Sequence, residues 1–233
     1  MKKSKLTFIL YVVCMSALLG SFSQNIYTPI LPIIQASFHT SLYLVNVTVS
    51  LFTFVLAIMQ LIYGPLIDTK GRKSVLIPSL IISTIGSIGC AFSANIYLFL
   101  FFRAVQAIGI AAIPVVSATI IGDLFEGKER GEAMSLYQML LALAPAIGPL
   151  IGGYLGSING HFSVFLFLSI LGILLLIINI SLLPETKPTV MKQPQAKKNY
   201  WLILKIKLDI LLHLLASFNF VFTFAFSFFY RAF

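Results

Sequence analysis

Charge is the first thing this sequence lacks. Only 10% of its 233 residues are charged and just seven are Asp or Glu, where a soluble domain carries about 25% charged residues. With 59% of the residues hydrophobic, seven carboxylates cannot clothe a water-facing surface, and the chain would expose apolar patches that no soluble monomer tolerates. A soluble globular domain is excluded, and lipid is the solvent. Cysteine is scarce too. Cys14 and Cys90 fall inside apolar runs without metal or redox spacing, so each reads as a small apolar residue, and no metal site or cofactor is expected. No nucleophile, base and orienting group recur on one face, which argues against an enzyme. Sixteen Lys and Arg give a formal charge of +9, but they sit in short clusters between long apolar runs. They mark topology, not a nucleic-acid-binding face.

Crossing a hydrocarbon layer about 30 Å thick takes about 20 largely uncharged residues in a helix. Seven segments qualify: Leu6 to Pro29, Leu44 to Ile67, Val75 to Ala94, Ile96 to Ile121, Ala133 to Gly156, Phe162 to Leu183 and Ile210 to Tyr230. The basic start followed by apolar residues is like a signal peptide. No small-x-small cleavage site follows, however, and the run continues through Pro29 and Pro32, so it reads as a retained first span. Lys and Arg of short loops stay on the cytoplasmic side. Lys2, Lys3 and Lys5 precede span one; Lys70, Arg72 and Lys73 separate spans two and three; Lys128 and Arg130 separate four and five. Six lysines, from Lys187 to Lys207, lie between six and seven. The intervening loops, Leu31 to Tyr43, the turn at Asn95 and Ser157 to His161, contain none. This alternation predicts a multi-pass plasma-membrane protein with a cytoplasmic amino terminus, and an extracellular carboxyl end if span seven inserts. Only Arg103, inside span four, and Arg231 stand outside the pattern.

Residues 1–186 thus read as a six-helix bundle, 187–209 as a basic cytoplasmic linker and 210–233 as a seventh span. Within the linker, Tyr200 to Leu208 reads either as an amphipathic piece anchored by Tyr200 and Trp201 or simply as the entry to span seven.

Between spans two and three stands Gly64-Pro65-Leu66-Ile67-Asp68-Thr69-Lys70-Gly71-Arg72-Lys73-Ser74. Gly64 and Pro65 permit close helix approach and a bend, Gly71 supplies a tight turn, and Asp68 lies four residues before Arg72. A static charged turn would serve topology alone, but the pattern is long and specific. It resembles the signature of the major facilitator superfamily, G-x-L-x-D-x-x-G-R-K, with Gly64, Leu66, Asp68, Gly71, Arg72 and Lys73 in register. The resemblance implies an all-α transporter half, six helices arranged as inverted three-plus-three repeats. It also implies a cytoplasmic latch, involving Asp68 and Arg72, that forms and breaks during alternating access. Gly-Pro-Leu-Ile recurs at Gly64 and at Gly148, the corresponding helices of two such units.

Arg103-Ala104-Val105-Gln106-Ala107-Ile108-Gly109 places a guanidinium about 10 Å inside span four, where a charge costs about 2.5 kcal/mol or more on insertion scales. Either the side chain snorkels to the outer headgroups or it faces a polar cavity. The stretch is similar to the family's R-x-x-Q-G-x-G, with Ala107 where glycine is usual, and in relatives this arginine is linked to proton movement. In span five, Pro145, Gly148, Pro149, Gly152 and Gly153 provide small residues for helix contact and prolines that remove backbone donors, so a bent packing helix is expected. Gly148-Pro149-x-x-Gly152-Gly153 also resembles the antiporter motif that marks exporters, with Ala144 standing where a preceding glycine is common. Asn25 to Pro32 and Leu183-Pro184-Glu185-Thr186 resemble the drug and proton antiporter branch, particularly the bicyclomycin-resistance type. Some members carry an acidic residue where this chain has Asn25, and an amide cannot carry a proton.

Buried amides and phenols should face inward, because polar groups in lipid cost free energy unless paired. Gln24, Asn25 and Tyr27, Gln60, Arg103 and Gln106, and Gln138 are therefore the candidates for a substrate cavity, with helix-to-helix hydrogen bonding as the other role open to them. The phenylalanines from Phe218 to Phe229 are expected to meet lipid. No Asp or Glu lies deep in a span, and arginine does not release its proton. His213 reads as the only imidazole near a membrane segment, either as a proton carrier or as a headgroup-level histidine. The expected partners are a small amphipathic substrate, protons and lipid. Transport of this class needs two six-helix halves, so the chain reads as a truncated exporter that requires a C-terminal half or a second copy. The other reading is a non-transporting membrane remnant or a helical partner for other membrane proteins.

Overall fold

In lipid every backbone N–H must be satisfied within its own segment, so long uncharged runs become long helices. The computed structural model describes residues 3–186. The linker at 187–209 with Trp201, His213, span seven and its phenylalanines lie outside the described residues. Among those described, the elements are α1 (Lys3–Asn25), a 3-10 turn (Thr28–Ile30), α2 (Leu31–Ser37), α3 (Leu42–Lys70), α4 (Arg72–Ala91), α5 (Ile96–Leu124) and α6 (Gly127–Leu182). At about 1.5 Å per residue, the 56 residues of α6 would far exceed one bilayer. Its backbone leaves helical geometry at Asn159 and Gly160, which divides it into two antiparallel arms, with His161 at the corner and the second crossing running over 162–182. The result is a bundle of six apolar crossings, an all-α membrane fold.

Helix starts follow local chemistry. The Ser41 hydroxyl accepts the Leu44 N–H at 3.3 Å, opening α3, and Asn95 Oδ1 accepts the Leu98 N–H at 2.9 Å, opening α5. One expectation is corrected. The loop read over Leu31 to Tyr43 contains α2, because Pro29 and Pro32 occupy first-turn positions, where a missing N–H breaks no bond. α6 turns at Asn159 and Gly160, inside the expected loop at Ser157 to His161, and its backbone dihedrals stay helical through Pro145 and Pro149. Proline's fixed φ is compatible with a helix, and neighbouring helices help accommodate the freed carbonyls.

α5 is the central helix, packed against α1, α3 and α4, while α6 packs against α1 and α4. Close approach of α4 and α5 depends on glycine. A Cβ at Gly86 would lie 2.5 Å from the backbone nitrogen of Gln106, and one at Gly109 would lie 2.5 Å from the Ser79 carbonyl oxygen. That proximity brings the polar side chains of α4 within reach of those on α5.

Candidate functional site

The structure gathers the predicted residues into three places. The first is a knot at the end of the bundle where α3 passes to α4. Gly71 has φ +98, a left-handed conformation that favours glycine, and a Cβ there would also lie 2.9 Å from the Glu185 carboxyl carbon. Glu185, 113 residues downstream, accepts the Arg72 backbone N–H at 2.9 Å and so caps the N-terminus of α4. Arg72 Nε donates to Asp123 Oδ2 at 2.6 Å, with the two side chains 5% and 18% exposed. Lys73 Nζ donates to the Ile180 carbonyl at 2.9 Å, near the C-terminus of α6. The turn therefore ties together the ends of α4, α5 and α6. Asp68 is exposed and makes no ion pair among the described residues. The helical i,i+4 relation to Arg72 is broken because Gly71 ends α3 between them. Gly64 has open space where a Cβ would stand.

The second place is Arg103. Segments 6–67, 74–122 and 133–184 contain no charged residue except this one. It is fully buried and does not snorkel. Its guanidinium carbon lies 4.0 Å from the centroid of Tyr27, 4.0 Å from that of Phe52 and 5.6 Å from that of Phe165. Such ring-face contacts are worth about 2 kcal/mol when desolvated and offset part of the burial cost. Nη1 donates to Gln106 Oε1 at 2.5 Å and to the Ser23 carbonyl at 3.5 Å. Gln106 Nε2 donates in turn to Ser87 Oγ at 2.7 Å, which donates to the Ser83 carbonyl at 2.9 Å. The cation thus heads a hydrogen-bonded line from α1 through α5 to α4. Tyr27, placed among the cavity candidates, is instead part of this enclosure.

The third is a seam between α1 and the first arm of α6. Ala144, Gly148, Gly152 and Gly156 are all buried and recur every four residues. A Cβ on Gly148 would lie 3.2 Å from Asn25 Cβ; one on Gly152 would strike the Ile26 carbonyl, and one on Gly156 would strike Ile30. Gly153, named in the motif, has nothing near it. Gly156 was not singled out, although its spacing from Gly152 was the available signal.

The other candidates disperse. Gln24 and Gln138 are exposed, and Gln60 is half-buried. Asn25 Nδ2 donates to the Ser21 carbonyl of its own helix at 2.8 Å. His161, at the corner of α6, is a second imidazole beside the spans, so His213 is not the only one. Its ring packs on Phe38 and Phe99. Nothing in the sequence set it apart from an ordinary loop histidine.

Six apolar crossings, a charged turn fastening one end and a single enclosed guanidinium define a multi-pass membrane protein of the transporter class. The profile of the Major Facilitator Superfamily matches residues 13–232, and the chain belongs to that family. It is 33% identical over 175 residues to Citrate exporter 1 of Aspergillus niger, covering 75% of this chain and 33% of that one. It is also 33% identical over 175 residues to Multidrug transporter QDR2 of Candida glabrata, covering 75% of this chain and 30% of that one. Among solved structures, the proton:xylose symporter XylE bound to 6-bromo-6-deoxy-D-glucose superposes with a TM-score of 0.71 at 17% identity, over 80% of this chain and 46% of that chain. At that identity the likeness shows the fold. The chain spans about a third of the length of these two curated relatives. Family membership points to a transporter, not an enzyme.

Proposed function

We propose that this six-helix half, working with a second six-helix half, exports small amphipathic organic compounds by alternating access, driven by protons entering in exchange. The observation that carries the reading is the seam of Gly148 and Gly152 against α1, because it realises as helix contact the motif that resembles the exporter signature. One of the relatives is named an exporter, of citrate, and the other a multidrug transporter, which supports this reading. In this reading the amino terminus and the Arg72 knot lie in the cytoplasm and the corner at Asn159 and Gly160 lies outside. The knot acts as the cytoplasmic latch, with Asp123 as the anionic partner of Arg72. Asp68 is left exposed to meet the other half. Arg103 supplies a fixed positive potential near the centre and does not itself carry the proton, since guanidinium stays protonated. Gln24, Gln60 and Gln138 supply polar contacts for substrate on the cavity side.

The test uses inverted membrane vesicles from cells expressing the gene together with a six-helix C-terminal half of a relative. An acid-inside gradient should drive accumulation of a fluorescent amphipathic dye, and Arg103→Met should abolish it. Equal accumulation with and without the gene, or accumulation that ignores the pH gradient, overturns the reading.

A further inference from the structure

Proton exchange requires a group whose charge follows pH, and the spans contain no carboxylate. His161 stands at the end of the bundle opposite Arg72. Its ring centroid is 4.8 Å from that of Phe38 at an interplanar angle of 44°, and 6.0 Å from that of Phe99 at 84°. Phe38 closes α2, and Phe99 lies in the first turn of α5. His161 itself follows directly on the break at Asn159 and Gly160. Phe38 and Phe99 also meet each other, with centroids 5.6 Å apart, so the half-buried imidazole seats the corner of α6 on a pair of rings that joins the end of α2 to the start of α5. From it the rings continue inward: Phe99 meets Phe165 edge-on at 5.2 Å, and Phe165 lies 5.6 Å from the Arg103 guanidinium.

The electrostatic surroundings are simple. Segments 6–67, 74–102 and 133–184 contain no Asp, Glu, Lys or Arg. Toward this end of the bundle the other titratable groups are His39 after α2, Tyr43 on α3, Cys90 on α4, Tyr97 on α5 and Tyr154 on α6. Cys90 is buried and its thiol donates to the Phe99 carbonyl at 3.9 Å; the other four are exposed, and none of the five makes a hydrogen bond or ring contact with His161 among the described residues. The charge along the line of rings is Arg103, of the same sign as an imidazolium. Burial without a compensating carboxylate pushes the His161 pKa below 6.5.

Resting on the proton-exchange reading above, we propose that His161 is the proton-responsive positioning residue of this half. Neutral, it clamps the corner of α6 onto the Phe38 and Phe99 pair. Protonated, it leaves those rings for water and frees the corner between the two arms of α6. The imidazolium gains only weakly from ring faces, and hydration away from the rings outweighs that. Because Phe99 and Phe165 also form part of the wall around Arg103, release of the clamp loosens the packing of the charged centre.

The chain is placed in lipid nanodiscs with isotope-labelled histidine and phenylalanine rings and titrated from about pH 8 to about pH 4.5 by NMR. We expect His161 to take up its proton below pH 6.5, with the Phe38 ring resonances moving at the same midpoint. His161→Phe keeps a neutral ring against the Phe38 and Phe99 pair and should remove the Phe38 transition. His161→Lys, a fixed cation, should show the acid-state Phe38 resonances already at the alkaline end. Phe38 resonances that do not follow His161, or that move identically in His161→Phe, overturn the proposal. The titration does not depend on transport. A clamp transition without proton-driven dye uptake would leave the clamp standing and remove the exchange reading. Dye uptake with an unchanged pH profile in His161→Phe would do the reverse.

Discussion

Gly152 and Gly153 are neighbours on one helix, yet alanine should have opposite effects at the two positions. At Gly152 the hydrogen that a methyl group would replace points at the Ile26 backbone. A Cβ there would lie 2.7 Å from the Ile26 carbonyl carbon and 3.2 Å from Ile26 Cγ1, against an optimal separation of about 3.5 to 4.0 Å between carbons. Backbone cannot rotate away as a side chain can, so α1 and α6 must part along the seam. Overpacking of this kind costs about 1 to 3 kcal/mol. At Gly153 a Cβ meets nothing within 4 Å. Both substitutions gain helix propensity, about 1 kcal/mol, and that gain cancels in the comparison. Gly152→Ala should therefore be less stable than Gly153→Ala by about 1 to 3 kcal/mol, a gap of several degrees in Tm at about 2 to 4 °C per kcal/mol. Cys14 and Cys90 are both buried and unpaired, so a thiol-reactive dye in detergent reports the melting directly. Equal melting of the two variants, or a lower Tm for Gly153→Ala, would refute the seam.

Asp123→Asn leaves Arg72 buried without its counter-charge. Breaking such a pair costs about 3 to 5 kcal/mol when fully buried, and the 18% exposure of Asp123 should bring the loss to the low end. The double variant Arg72→Met with Asp123→Leu should melt higher than Asp123→Asn. Arg103→Met retains most of the volume between Tyr27 and Phe52 and should stay within about 1 kcal/mol of the parent in the same melt, whereas Arg103→Ala opens a cavity and should lose about 3 kcal/mol. Tyr137 Oη donates to the Pro114 carbonyl at 3.0 Å, so Tyr137→Phe should lose about 1 kcal/mol in thermal unfolding. Because burial lowers the His161 pKa from 6.5, the unfolded chain protonates first as the medium is acidified. Its contribution is full above 6.5, is lost as the pH falls below that value, and levels off once the folded imidazole is protonated. Melts across that range should show the loss in the parent and not in His161→Phe.

The spans were legible because hydropathy and the lack of charge are properties of each segment alone, and the Gly71 turn was legible because six motif positions sit within ten residues. Pairing across the fold was not. Arg72 has an acidic neighbour four positions back, but its partner is 51 residues away on α5. Nothing local announces that Gly71 separates Asp68 from it. The amide candidates failed for a related reason. A polar residue in an apolar helix signals an inward or paired side chain without saying which face of the helix turns toward which neighbour. Gln106 found Ser87, while Gln24 and Gln138 remained exposed. The break in α6 was legible: Asn159 and Gly160 fall inside the charge-free loop read at Ser157 to His161.

The bundle is fastened unequally. At one end Glu185, Arg72, Asp123 and Lys73 cross-link three helices through ionic and main-chain bonds, while the other end rests on stacked rings. Hydrogen–deuterium exchange should accordingly run as a gradient along the helices, slowest beside the knot and fastest toward the aromatic end. Thermal agitation would then open this half as a fan opens, spreading at the rim while its pivot holds.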